Sequence, residues 1–185
     1  MKLLKNRKFA VLITVVVVIL ATLLGVRGSL NRLAGDVEAM FYDGVYLKDN
    51  GYKQPGINPQ LEICAQTALN YATILVNNPA LTGEAEALLS AQREFIDAKS
   101  IREKYSANES MQNAFEALTK KAESTKLSQQ ETDAMSRHIS TFRGAQTMIR
   151  SSEYNQQVQS FMDDASNFAR LLRPFLFVKS PQMFA

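Results

Sequence analysis

One histidine, one cysteine and a few closely spaced carboxylates are the residues of this 185-residue chain whose types could support acid, base, metal or nucleophilic chemistry. His138 stands alone, which excludes a two-histidine metal site and a relay between imidazoles. Met135, Ile139 and Phe142 surround it at helical spacing, so it lies at the edge of an apolar stripe, half-packed and half-wet. Asp163-Asp164 and Glu84 with Glu86 offer carboxylates in pairs, the raw material of general acid and base work. Adjacent and i, i+2 positions do not face each other on a helix, and the pairs read as solvated faces. Cys64 falls among Leu61, Ala65, Ala68, Leu69, Ala72, Leu75 and Val76, an apolar face of period 3.6. There it reads as a small core hydrophobe rather than a reactive thiol, and being single it rules out an intrachain disulfide. The chain contains no glycine-rich phosphate loop, Ser-His-Asp set or zinc spacing. No catalytic, cofactor-binding or metal-ligating residue is therefore expected, no cofactor is implied, and the chain does not read as an enzyme.

The elements that carry these residues are helical. Glycine and proline are sparse, tryptophan is absent, and long stretches are rich in Ala, Leu, Gln, Glu, Lys and Met. The run from Phe9 to Val26 has eighteen residues without a charge or a proline. As a helix it reaches roughly 27 Å at about 1.5 Å per residue, close to the hydrocarbon thickness of a bilayer. The exit, Leu23-Leu24-Gly25-Val26-Arg27-Gly28-Ser29, is a poor match to a small-x-small cleavage site, which favours a retained anchor over a cleaved signal. Lys2, Lys5, Arg7 and Lys8 precede the run, against Arg27 and Arg32 after it, so the positive-inside rule leaves the amino terminus in the cytoplasm. The expected organisation is a basic cytoplasmic segment over residues 1–8, a transmembrane anchor over 9–26 and an extracytoplasmic helical domain over 27–185. Removing Lys2, Lys5, Arg7, Lys8 and Arg27 from the 21 cations leaves 16 against 18 acids, no electrostatic footprint for nucleic acid.

Beyond the anchor, Leu30, Leu33, Val37, Met40 and Phe41 keep the helical period, which predicts that the first helix continues outward and fades near Asp43-Gly44. Leu47 to Pro59, with Asp49-Asn50-Gly51, Pro55-Gly56 and Asn58-Pro59, reads as an exposed loop. Asn58 is the expected cap of a second helix that Asn77-Asn78-Pro79 stops. A third begins near Thr82 with Glu84 at its positive end, and the spacing allows either one long helix or two joined by a kink near Ser106-Ala107-Asn108. Ser128 and Glu131 form a capping box that opens a last long helix, with a phase shift near Ser151-Ser152 and a stop at Pro174. Four helices that each carry an apolar face make an antiparallel four-helix bundle the expected fold, all-α, behind the transmembrane helix.

The stretch Ser152-Glu153-Tyr154-Asn155-Gln156-Gln157-Val158 resembles the Tyr-Asn-x-x-Val signature of LemA-like proteins. Phe177-Val178-Lys179-Ser180-Pro181-Gln182-Met183-Phe184 is similar to the apolar tail that follows it in that family, and residues 107–118, with Glu123 beyond, resemble the helix before the family's Glu-x-Tyr-Pro turn. Thr125-Lys126 stands where the family's Tyr-Pro pair would fall. The resemblance implies a membrane-anchored, mostly helical bundle with no agreed enzymatic chemistry, in which Tyr154, Asn155, Val158, Lys179 and Phe184 are structural. Asn155, an amide beside an apolar stripe, needs a partner in the fold, water or a ligand. Phe175-Leu176-Phe177 is either a tail folded over the bundle or an apolar patch. The expected function is a non-enzymatic interaction or scaffold module of the cell envelope, whose partners are the membrane and other envelope proteins. The rival expectation is an extracytoplasmic ligand-binding or sensory domain. A signalling receptor would also need a second span and an output domain.

Overall fold

The computed structural model describes residues 7–47, 51–169 and 178–185. Those residues are mostly helical: α1 (Arg7–Asp43), α2 (Ile57–Leu75), α3 (Thr82–Asp97), α4 (Ile101–Glu123), α5 (Gln129–Arg150) and α6 (Tyr154–Ala169), with two short strands, β1 (Val45–Leu47) and β2 (Tyr52–Gln54). They fall into two compact units, one within Met1–Glu38 and Gln157–Pro181, the other made of Ala39–Gln156 and Gln182–Ala185.

In the first unit, α1 carries an eighteen-residue window of mean hydropathy 3.0, none of it buried against protein. It is the one helix among the described residues long and apolar enough to cross a membrane. The helix ends where the period fades, at Asp43, and Gly44 follows with φ +94° and its N–H bonded to the Met40 carbonyl at 2.9 Å. That pattern is a left-handed helix stop of the kind glycine supplies.

In the second unit α2 is the central element, packing against α3, α4 and α5. Its inward face consists of Leu61, Cys64, Ala65, Ala68, Tyr71, Ala72 and Leu75, all buried. The small side chains at 64, 65, 68 and 72 let several helices approach one axis closely. A stacked pair, Phe115 of α4 and Phe142 of α5, lies parallel at 3.9 Å between centroids, and Tyr71 meets Phe115 at 4.9 Å.

Four local expectations are corrected. The segment after Gly44 is an antiparallel hairpin with Val45 opposite Gln54 and Leu47 opposite Tyr52, not a loop throughout; Asp49-Asn50 lies outside the described residues. Gly56, whose backbone is extended, precedes the first turn of α2 in place of Asn58, and a Cβ there would stand 2.4 Å from the Tyr42 carbonyl oxygen, so only glycine fits. Asn58 lies inside the helix, donating to Glu62 and accepting from Lys104. The third helix is two, and the break falls at Ala98-Lys99-Ser100 rather than at Ser106-Ala107-Asn108. There Ser100 and Glu103 make a reciprocal capping box, with Glu103 accepting from the N–H groups of Lys99 and Ser100 at 2.7 and 2.8 Å. The last long helix is also two, since Ser151 to Glu153 separates α5 from α6 at the phase shift. Ser128 and Glu131 do form the expected box. Leu172, Pro174, Phe175-Leu176-Phe177 and the side chain of Phe168 lie outside the described residues.

Gly44 and Gly144 provide a matched test. A Cβ at Gly44 would fall 2.0 Å from the Gln54 carbonyl oxygen in a left-handed backbone, whereas one at Gly144, inside α5, meets nothing within 4 Å. Gly44→Ala is expected to destabilise by more than about 2 kcal/mol and Gly144→Ala to stabilise by about 0.5 to 1 kcal/mol. Urea melts of the full chain followed by circular dichroism check both; equal midpoints for the two variants would refute the assignment.

Candidate functional site

Tyr154 and Asn155 both hold the carboxyl-terminal tail. Tyr154 opens α6, is fully buried, and donates its phenol O–H to the Gln182 carbonyl at 2.6 Å. Asn155, next to it, uses both ends of its amide on one residue: Nδ2 donates to the Phe184 carbonyl at 2.8 Å and Oδ1 accepts from the Phe184 N–H at 2.9 Å. The side chain thereby acts as a short strand partner for the tail backbone. The Phe184 ring is inserted edge-on to Tyr105 at 5.2 Å and lies 5.7 Å from Phe41, which also meets Tyr154 at 5.5 Å. Aromatic contacts of this kind add roughly 0.5 to 1.5 kcal/mol each beyond burial.

The five motif positions divide between the two units. Tyr154, Asn155 and Phe184 come together in the second; Val158 and Lys179 belong to the first. Val158 is fully buried. Lys179 donates its backbone N–H to Asn31 at 3.0 Å and pairs through Nζ with Glu38 at 2.7 Å, with the lysine side chain largely exposed. A pair so wet contributes little to stability.

A second amide grip was not legible in the sequence. Gln54, at the end of β2, donates Nε2–H to the Ser151 carbonyl at 2.8 Å and accepts from the Glu153 N–H at 2.9 Å. It ties the hairpin to the turn between α5 and α6. Its partners stand nearly one hundred positions away, so no local pattern signals them.

The other candidates take bland positions. Cys64 is buried and free, donating weakly to the Phe142 carbonyl, and burial pushes its thiol up to about 12 despite a hydrogen bond from Gln146. Such a thiol is no nucleophile at neutral pH. Gln146 also donates to Asn108, joining α2, α4 and α5 through a buried polar chain. His138 is half-buried, 6.2 Å from the Tyr71 ring. Glu84 pairs with Lys121 at 2.6 Å, while Glu86, Asp163 and Asp164 are exposed. Among the described residues no three His, Cys, Asp or Glu side chains converge on a metal position. What the constellation around Tyr154 does chemically is hold backbone. No family model, curated protein or solved structure matches the chain.

Tyr154→Phe is expected to weaken the fold by about 1 kcal/mol, and Asn155→Asp, which sets an anion against the Phe184 carbonyl, by about 1 to 3 kcal/mol. Faster hydrogen exchange at the Phe184 amide reads the loss directly; unchanged exchange in Asn155→Asp would show that the tail does not depend on the amide.

His138 yields a pH dependence. Burial, aided by the neighbouring Arg137 charge, holds its imidazole below the ordinary 6.5. The neutral form is the one the fold prefers, so its contribution is complete above about 6.5 and is lost as pH falls toward the folded value. His138→Gln should flatten that part of the profile. Parallel urea midpoints for wild type and variant between about pH 7.5 and 5 would contradict the assignment.

Proposed function

We propose that this chain is a LemA-like, membrane-anchored helical protein that serves as a non-enzymatic interaction or scaffold module of the cell envelope. Residues 1–8 lie in the cytoplasm, 9–26 span the membrane, and 27–185 stand outside it as an antiparallel four-helix bundle whose first helix is the outward continuation of the anchor. The observation that carries the reading is the uninterrupted apolar surface of α1, none of it buried along the window that is long enough to span. Two further features support it. The cations crowd before the run rather than after it, which favours an inward amino terminus. Tyr154 and Asn155 spend their polar atoms on the tail backbone at Gln182 and Phe184, which supports a structural reading of those positions.

Protease added to intact spheroplasts is expected to digest everything beyond about Gly28 and leave a short protected fragment. Protection of the full chain until detergent is added would refute the orientation. Crosslinking in intact membranes, followed by mass spectrometry, tests the scaffold role: a reproducible protein partner is expected, and recovery of abundant lipoproteins alone would count against it.

A further inference from the structure

The seat of the tail is built like a peptide site. Tyr154 and Asn155 address Gln182 and Phe184, residues i and i+2, and three hydrogen bonds from them fall on backbone: the Gln182 carbonyl, the Phe184 N–H and the Phe184 carbonyl. Along an extended chain these groups share one edge, because alternate residues turn their N–H and C=O the same way. The phenol and the amide thus stand where a neighbouring strand would, the mode in which strand-addition sites capture extended peptides. One side chain is read as well. The Phe184 ring is 7% exposed against Tyr105 and Phe41, whereas Gln182 and Ala185 are exposed and Met183 is half-buried. The seat therefore selects an extended segment with an aromatic residue two positions after the first gripped carbonyl.

The occupant is held without being locked in. Helix α2 packs on α3, α4 and α5 without the tail, and the stacked rings of Phe115 and Phe142 belong to those helices. A cleft of about 320 Å³, lined in part by Tyr105, Asn155 and Phe184, borders the seat and leaves one side of it open. Releasing the tail unmakes three hydrogen bonds and one ring contact site, a local opening that lies well below global unfolding in free energy. None of these contacts requires tail and seat to belong to the same polypeptide. A second copy carries the same Gln182-Met183-Phe184 segment, the one this seat is seen to hold. Reciprocal exchange fills two seats with two tails and needs no new kind of contact, which makes it a low-cost route to a symmetric pair.

We propose that the seat formed by Phe41, Tyr105, Tyr154 and Asn155 is an interaction site for residues 182–184 of a second copy, so that two chains pair by exchanging tails. Seat and tail segment both lie within the second unit, and the inference stands apart from the membrane and scaffold readings.

Two variants of the full chain, differently tagged and mixed in detergent micelles, test it. Phe184→Ala keeps the seat but removes the anchor of its own tail, and Asn155→Asp keeps the tail but sets an anion in its own seat. The mixture restores one complete contact between chains. It should co-purify at least about fivefold better than either variant does with a differently tagged copy of itself, the same-variant pairs reporting chance sharing of micelles. A second measurement needs neither variant to fold well. Tyr105 is replaced by p-benzoylphenylalanine in otherwise wild-type chains, which are made with light and with heavy nitrogen, mixed, incubated and irradiated. Crosslinks from position 105 of one isotope to residues 182–185 of the other are expected, approaching about half of the total at full exchange in an equal mixture. Crosslinks confined to single chains, or variants that co-purify no better mixed than alone, overturn the proposal. A foreign protein caught at position 105 in cell membranes, in place of a second copy, overturns the choice of occupant.

Discussion

The apolar surface of α1 is the constraint on which everything else depends. Leu24 is 67% exposed and Val11 57%, in a helix where eighteen consecutive residues present nothing but hydrocarbon, small residues and a pair of threonines. Thr14 and Thr22 turn their hydroxyls back onto the carbonyls four residues earlier, which satisfies them without water. Covering a Val or Leu side chain is worth about 1.5 to 3 kcal/mol, so the run as a whole represents tens of kcal/mol. Net stability of a domain is only about 5 to 15 kcal/mol. The medium around α1 therefore outweighs any single contact elsewhere, and on the proposed reading that medium is lipid.

The second unit is held by different means. Small residues on α2 bring the helices close, and amide side chains then fasten the pieces that helix packing does not reach. Gln54 holds the turn between α5 and α6, and Asn155 holds the tail at Phe184. In each case one buried or half-buried amide satisfies an N–H and a C=O of the backbone at once. Removing such a side chain would orphan two main-chain groups rather than one.

Much of this was legible in the residues and some was not, for identifiable reasons. The stop of α1 at Asp43-Gly44, the core face around Cys64 and the Ser128-Glu131 box follow from local patterns, and each is found where the pattern puts it. Ser100-Ile101-Arg102-Glu103 has the same Ser-x-x-Glu form and was available too, but the apolar period continues across the break and masks it. The hairpin escaped because its strands are three residues each, too short for alternation to register, and because its closing contact depends on the absence of a Cβ at Gly44. Tyr154 and Asn155 could be singled out from sequence, yet the object they grip could not, since they reach across nearly thirty residues to the tail.

The central claim is that α1 stays in the chain and lies within a bilayer. Alkaline carbonate extraction of membranes from cells making the full protein, with the intact mass of the extracted chain read alongside, tests it most directly. The account predicts a full-length chain in the pellet. A chain in the supernatant, or a pelleted one shortened past Val26, would contradict it.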